Sequence, residues 1–150
     1  MTDATRTEAA APTTGGGEPR WFIHNLVRVL VDGDETGGRS ALTEVIGAPG
    51  DMPPLHVHHR DDEAWYVLAG ALRFRLGDET VEAPAGGAVL APRGTVHTYW
   101  NPRPEPARYL LVMTARIRAL IDALHALEAR EPEALAAVFR DHDSELLGWP

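Results

Sequence analysis

Four side chains in two short stretches of the chain carry groups able to bind a single metal ion. In the first stretch, GDMPPLHVHHRDDEAWYVLAG from Gly50 to Gly70, His56 and His58 are two residues apart. On a strand, both imidazoles therefore leave the same face, and His59 leaves the other. Glu63 lies an odd number of residues past His58, which in an uninterrupted strand would turn it away from them. The polar run HHRDD reads instead as a bend, after which a new strand can begin with Glu63 inward and continue with Trp65 and Val67 on that face. Asp61 and Asp62 are then turn residues, with Asp62 as the alternative ligand if the bend is one residue shorter. In the second stretch, GGAVLAPRGTVHTYWN from Gly86 to Asn101, the turn Pro92-Arg93-Gly94 re-aims the chain into a strand that carries His97 and Tyr99 on one face. Three neutral imidazoles and one carboxylate suit a single divalent transition ion, whether iron, manganese, nickel, copper, cobalt or zinc. In an octahedral arrangement they leave two positions for water, oxygen or substrate. All-oxygen calcium cages do not match this set.

What the chain omits narrows the chemistry further. Among its 150 residues there is no cysteine, which removes disulfides, thiolate nucleophiles and sulfur ligands together. There is no lysine, so no Schiff base can form. Serine occurs only at Ser40 and Ser144, neither within a Gly-x-Ser-x-Gly turn, so a hydrolase triad has no support. A formal net charge of −8 and a pI near 5.3 repel phosphate backbones, which argues against nucleic acid as a partner. No apolar run approaches the roughly 20 residues of a membrane-spanning helix, so no membrane partner is expected. The opening MTDATRTEAAAPTTGGGEP has neither a basic start nor an apolar segment, and the expected location is cytoplasmic.

The elements that must position these groups are short. Residues 1–19, rich in Ala, Thr, Gly and Glu, read as a disordered arm. From residue 20 to residue 114 the chain reads as strands at close spacing: Trp21 to Val31, Ser40 to Ile46, Ala64 to Ala69, Ala71 to Leu76, Glu79 to Glu82, Ala88 to Ala91, Val96 to Trp100 and Arg108 to Thr114. DGDETGG is a turn between the first two, and Gly77-Asp78 is a two-residue hairpin signal. Many short strands without intervening helices predict an all-β sandwich or barrel. Beyond Thr114 the period changes. Ile117, Leu120, Ile121, Leu124 and Leu127 form one stripe of an amphipathic helix, and Glu131-Pro132 opens a second helix with Leu135, Val138 and Phe139 on its apolar side. Residues 115–150 are thus C-terminal helices and tail, lying against the barrel or over a neighbouring subunit. Open sheet edges and the apolar helix stripe predict a homodimer.

Other residues are candidates by position. Trp65 and Tyr99 share the inward face with the ligands, where they either line a pocket for a flat organic substrate or fill the barrel. Phe74 and Met113 are placed with them, core filling being the simpler role. Glu44 stands in the alternating strand TEVI; facing inward it would orient a ligand or move protons, facing outward it is a solvated charge. His24 and Asn25 fall near the barrel mouth, Arg73 and Arg75 alternate toward solvent, and His125 and His142 read as surface or helix-end residues.

The spacing also resembles a known family. Gly50, His56-x-His58, Glu63 and Gly70 reproduce the first cupin motif, and Gly86, Pro92-x-Gly94, His97 and Asn101 the second, both without departure. PPLHVHHRDDEAWYVLAG is similar to the bacterial quercetin-dioxygenase-like single-domain cupins, as is the helical tail ending in ELLGWP. The resemblance implies a jelly-roll barrel, a double-stranded β-helix, with His56, His58, Glu63 and His97 as metal ligands. It leaves the reaction open, since this fold hosts many chemistries. The expected function is a metal-dependent dioxygenase acting on a small aromatic or enol-bearing metabolite, with Glu63 moving between ligand and general base. The alternatives are an oxygen-independent cyclase or isomerase that uses the metal as a Lewis acid, and a non-catalytic cupin that binds a small ligand or metal.

Overall fold

The computed structural model describes residues 20–22, 25–50 and 52–148. The expected arm at residues 1–19 and the candidate His24 lie outside the described residues. In chain order the elements are β1 (Arg20–Phe22), β2 (Asn25–Val31), a 3-10 turn (Gly33–Thr36), β3 (Ala41–Gly47), β4 (Leu55–His58), β5 (Glu63–Ala69) and β6 (Ala71–Leu76). They continue with β7 (Glu79–Pro84), β8 (Ala88–Ala91), β9 (His97–Trp100), β10 (Ala107–Met113), helices α1 (Ala115–Ala126) and α2 (Pro132–Asp141), and β11 (Ser144–Gly148).

The strands join into two antiparallel sheets, ordered β1-β2-β3-β10-β5-β8 and β11-β4-β9-β6-β7. Alternation decides which side of each strand is apolar. Ala41, Thr43 and Val45 of β3 are buried, as are Trp65 and Val67 of β5 and Tyr109, Leu111 and Met113 of β10. Leu72 and Phe74 of β6 and Ala83 of β7 close the core from the second sheet. The Trp65 and Phe74 rings, one from each sheet, meet edge-on with centroids 5.1 Å apart, a geometry that favours the quadrupoles of both rings. The result is the expected all-β jelly roll with a C-terminal helical extension.

Two turns show how local chemistry closes the strands. The hairpin at Gly77-Asp78 pairs Leu76 with Glu79 across a two-residue loop, with Gly77 at φ 60°, where glycine carries no Cβ penalty. DGDETGG is more specific than a plain turn. The Asp32 carboxylate accepts from Gly33 N at 2.7 Å, and the Glu35 carboxylate accepts from Asp32 N at 2.9 Å, a capping box on a 3-10 turn.

The structure differs from the sequence reading at both ends of the barrel. Trp21 to Val31 is not one strand but β1 and β2, paired antiparallel with Phe22 opposite Asn25. Residues 144–148, read from sequence as tail, form β11 and pair with β4, Ser144 opposite His58. Apolar periodicity cannot reveal such a strand because it is short and half-exposed. The two helices appear where the apolar stripe changes period. Thr114 Oγ1 caps α1 by accepting from Ile117 N at 3.3 Å, and Pro132 occupies the first turn of α2. No helix among the described residues is long and apolar enough to cross a membrane.

Phe74 is fully enclosed. Phe74→Ala is therefore expected to destabilise the protein by about 3–5 kcal/mol in urea unfolding followed by tryptophan fluorescence. A loss below about 1 kcal/mol would mean that this core is not close-packed around the ring.

Candidate metal centre

The five-stranded sheet supplies the histidines. β4 lies between β11 and β9, and its single register pair with β9 sets His56 directly opposite His97. His56 and His58, two residues apart, are both buried, while His59 projects to the surface and meets Glu145. The chain then bends. Gly94 N donates to the His58 carbonyl at 2.8 Å, and Gly94, at φ 82°, takes a conformation that a side chain would resist. The Pro92-Arg93-Gly94 turn is thereby docked on the end of β4. Asp62, the alternative ligand, is exposed and caps this turn, accepting from Arg93 N at 2.9 Å and from its guanidinium at 3.2 Å. Asp61 turns inward to Arg116 at 3.4 Å. Glu63 then opens β5, so the carboxylate belongs to the six-stranded sheet and faces the histidines across the barrel.

One ligand atom from each of His56, His58, Glu63 and His97 lies within 4.8 Å of the other three, and all four residues are buried. Glu63 Oε2 is 3.2 Å from His58 Nε2 and 3.1 Å from His97 Nε2. The far nitrogens are also engaged: His56 Nδ1 with the Pro54 carbonyl at 2.7 Å, His58 Nδ1 with Ser144 Oγ at 2.7 Å, and His97 Nδ1 with the Thr95 carbonyl at 2.9 Å. A ring whose Nδ1–H is given to an acceptor presents its Nε2 lone pair to a cation once any Nε2 proton that faces Glu63 is given up.

The electrostatics suit a cation. Burial alone would raise the Glu63 carboxyl, but hydrogen bonds from His58 and His97 outweigh it and hold the group well below the usual carboxylate range. Burial would lower His97, yet the hydrogen bond to Glu63 raises it above its ordinary value. His56 is pushed down to about 3, first by burial and then by neighbouring His97 and His58. It therefore stays neutral with its lone pair available. Three imidazoles and a permanent carboxylate in a dry site could hold a divalent transition ion.

His56, His58 and Glu63 open on a cavity of about 570 Å³, while His97 is enclosed and is not among its lining residues. Its far walls come from the helices: Ile117, Leu120, Ile121 and Leu124 of α1 and Leu135 and Phe139 of α2, with Arg130 as the cation among the lining residues. The apolar stripes alone left the barrel and a neighbouring subunit as alternative destinations, because periodicity says that a face is buried and not against what. Tyr99 also lines the cavity, its hydroxyl accepting from Tyr109 at 3.2 Å and pushed up to about 12 by burial. Trp65 is not among the lining residues. It lies behind the site, its ring 5.6 Å from His97 and 5.2 Å from Tyr99.

Of the five residues weighed as pocket lining, Tyr99 lines this cavity and Trp65, Phe74, Met113 and Glu44 do not. Phe74 and Met113 belong to the core and do not line the cavity. Glu44 lies on the outer face of β3, out of phase with buried Thr43 and Val45, where it pairs with Arg28 at 2.7 Å and Arg108 at 2.6 Å. Arg73 meets Glu82 at 2.8 Å on the outer surface. His142 Nδ1 meets the Val138 carbonyl at 2.7 Å at the end of α2, as a helix-end residue would.

Comparison with known proteins adds to this geometry. A family model described as a cupin domain matches residues 43–113. Quercetin 2,3-dioxygenase of Bacillus subtilis (strain 168) is 34% identical over 86 residues, covering 57% of this chain and 26% of that protein. Germin-like protein 5-1 of Oryza sativa subsp. japonica is 33% identical over 129 residues, covering 79% of this chain and 56% of the relative. The chain thus spans about a quarter to a little over half of these relatives' lengths. Among solved structures, KdgF from Halomonas sp. superposes with a TM-score of 0.57 at 19% identity, over 66% of this chain and 88% of that one. That likeness is one of fold.

The depressed His56 has a measurable consequence in metal-free protein. Because its folded value lies near 3 against an ordinary 6.5, the unfolded chain binds a proton in this window that the folded imidazole refuses. Stability therefore falls as pH falls from 6.5 toward 3, by up to about 1.4 kcal/mol per pH unit. Urea unfolding in the presence of a chelator is expected to show the wild type losing stability relative to His56→Asn across this range. Parallel curves would show that His56 titrates normally.

Proposed function

The chain is a small cupin protein, with residues 43–113 forming the family's domain, and from that premise we propose a metal-dependent dioxygenase acting on a small aromatic or enol-bearing metabolite. The observation that carries this reading is the set of four buried ligand atoms within 4.8 Å of one another, three of whose residues line a cavity with largely apolar walls. A largely apolar pocket with a few convergent polar groups is what a small organic substrate requires. The match to quercetin 2,3-dioxygenase of Bacillus subtilis supports the same class, by analogy.

In this reading His56, His58, Glu63 and His97 hold one divalent ion, which supplies Lewis acidity and, for a redox-active metal, electron transfer. Glu63 is the base: its carboxylate is ionised, and it takes a proton from an enol or phenol placed against it when the hydrogen bonds from His58 and His97 that hold it low are given up to metal and substrate binding. Tyr99 keeps its proton at neutral pH and donates a hydrogen bond to a substrate oxygen. Trp65 steadies His97 from behind. The helix walls exclude water from the reacting end.

The homodimer belongs to the same proposal. On the outer face of the six-stranded sheet, Leu42, Val112, Ala64 and Leu90 stand side by side in register across β3, β10, β5 and β8. Val112 and Leu90 are exposed. Such a row can pair with its own copy about a two-fold axis. Leu90→Lys is expected to convert a dimer to a monomer in light scattering after size exclusion; a wild-type monomer removes the dimer from the proposal.

The activity is tested by loading the protein separately with Fe(II), Mn(II), Ni(II), Cu(II), Co(II) and Zn(II) and following oxygen uptake against flavonols, catechols and β-diketones. Uptake with at least one redox-active metal is expected, falling by about 100-fold or more in His56→Ala. Uptake that survives the substitution overturns this centre. Substrate turnover under strict anaerobiosis would favour the cyclase or isomerase reading instead.

A further inference from the structure

Two of the three histidines have partners that admit one role only. His56 and His97 direct Nδ1 at main-chain carbonyls, and a carbonyl only accepts. Each ring must therefore carry a proton on Nδ1. His58 is different, because its Nδ1 meets the hydroxyl of Ser144 at 2.7 Å, across 86 residues of sequence and fully buried. A hydroxyl both gives and takes.

Ser144 Oγ also lies 3.2 Å from the His142 carbonyl, while His58 Nε2 lies 3.2 Å from Glu63 Oε2. Two patterns follow for a neutral His58, with the same protons on the same two residues; the first sets two acceptors, Nε2 and Glu63 Oε2, face to face, an arrangement that a cation between them satisfies. In the first, Ser144 donates to the His142 carbonyl and accepts from His58 Nδ1–H, leaving the Nε2 lone pair for a cation. In the second, Ser144 donates to His58 Nδ1, and Nε2–H is spent on Glu63 Oε2. Only the first pattern can coordinate. We infer that Ser144 is a positioning residue that makes the ligand-competent tautomer of His58 available, so that the C-terminal strand sets how tightly the centre holds its ion.

The surrounding structure is built to deliver that hydroxyl. Ser144 stands opposite His58 in the β11–β4 register. Asp143, immediately before it, turns the chain out of α2 with φ at 54°, a conformation that non-glycine residues adopt only when held. It is held on both sides: its carbonyl accepts from His59 N at 2.9 Å, and its carboxylate meets Arg116 at 3.2 Å and Arg60 at 3.6 Å.

The inference rests on the metal-centre reading and not on the oxygen chemistry, so it is tested by binding. Zn(II) and Co(II) affinities would be measured by competition with a chromophoric chelator for the wild type, Ser144→Ala, Ser144→Thr, Ser144→Val, His56→Ala and, as a control on the same strand, Glu145→Ala. Long-range proton–nitrogen correlation spectra of metal-free protein would report which nitrogen of His58 is protonated. Ser144→Ala and Ser144→Val are expected to bind about 10–100-fold more weakly and to shift His58 toward the Nε2–H form. Ser144→Thr should restore binding, and Glu145→Ala should leave it unchanged. If the alanine variant fails to fold, the threonine–valine pair, equal in shape and differing in the hydroxyl, decides. Wild-type affinity in Ser144→Val, or an unaltered tautomer, overturns the role of Ser144. A wild type that binds neither metal better than His56→Ala overturns the metal centre itself.

Discussion

One buried carboxylate oxygen shared by two imidazoles is the interaction on which the rest of the structure depends. Glu63 Oε2 lies about equally far from His58 and His97, yet the acid and the bases come from opposite sheets. The two sheets must therefore keep their spacing and register, or the group is left as an unpaired charge in a low-dielectric interior. Breaking a buried pair in that way costs roughly 3–5 kcal/mol, so the site is also a constraint on the fold. The Trp65–Phe74 contact directly behind it spans the same interface and holds the spacing by packing alone.

The C-terminal segment belongs to the functional part of the molecule. Without β11, β4 would be a sheet edge, and the strand that carries two of the ligands would lack a partner on one side. Without α1 and α2, the ligand atoms would face open solvent rather than an apolar cavity. Water there would weaken each electrostatic interaction of the centre. The same segment supplies the hydroxyl on His58, so residues 115–148 cover the β4 edge, form the helical wall of the cavity and contribute one of the contacts on the candidate ligands.

The many surface ion pairs play a smaller part. Glu44 with Arg28 and Arg108, and Glu82 with Arg73, bridge neighbouring strands on outer faces, and Arg103 reaches Glu82 from the loop between β9 and β10. Exposed pairs of this kind contribute about 0–1 kcal/mol each. They bear on solubility and strand register more than on stability, which rests on the packed core between the sheets.

Much of this was legible in the residues themselves. Period-two alternation around Trp65 and Tyr99 marked inward faces, and the apolar stripes beginning at Ile117 and Leu135 marked the helices. His56-x-His58, with Glu63 after a polar bend, marked the candidate ligands. These are local properties, since side-chain direction follows from backbone period and from turn residues. The sequence alone thus determined most of the element types, though not β11, together with the chemical identity of the four candidate donors and the exclusion of thiol and Schiff-base chemistry. It could not choose between Asp62 and Glu63 by counting, because the length of the bend depends on Gly94 docking against His58. It could not orient Glu44, since neither face of β3 announces itself until β10 and β2 lie beside it. Nor could it show that Ser144 meets His58, or that the helix stripes turn toward the cavity. Those facts arise from contacts between segments far apart in the chain, and only the tertiary structure decided them.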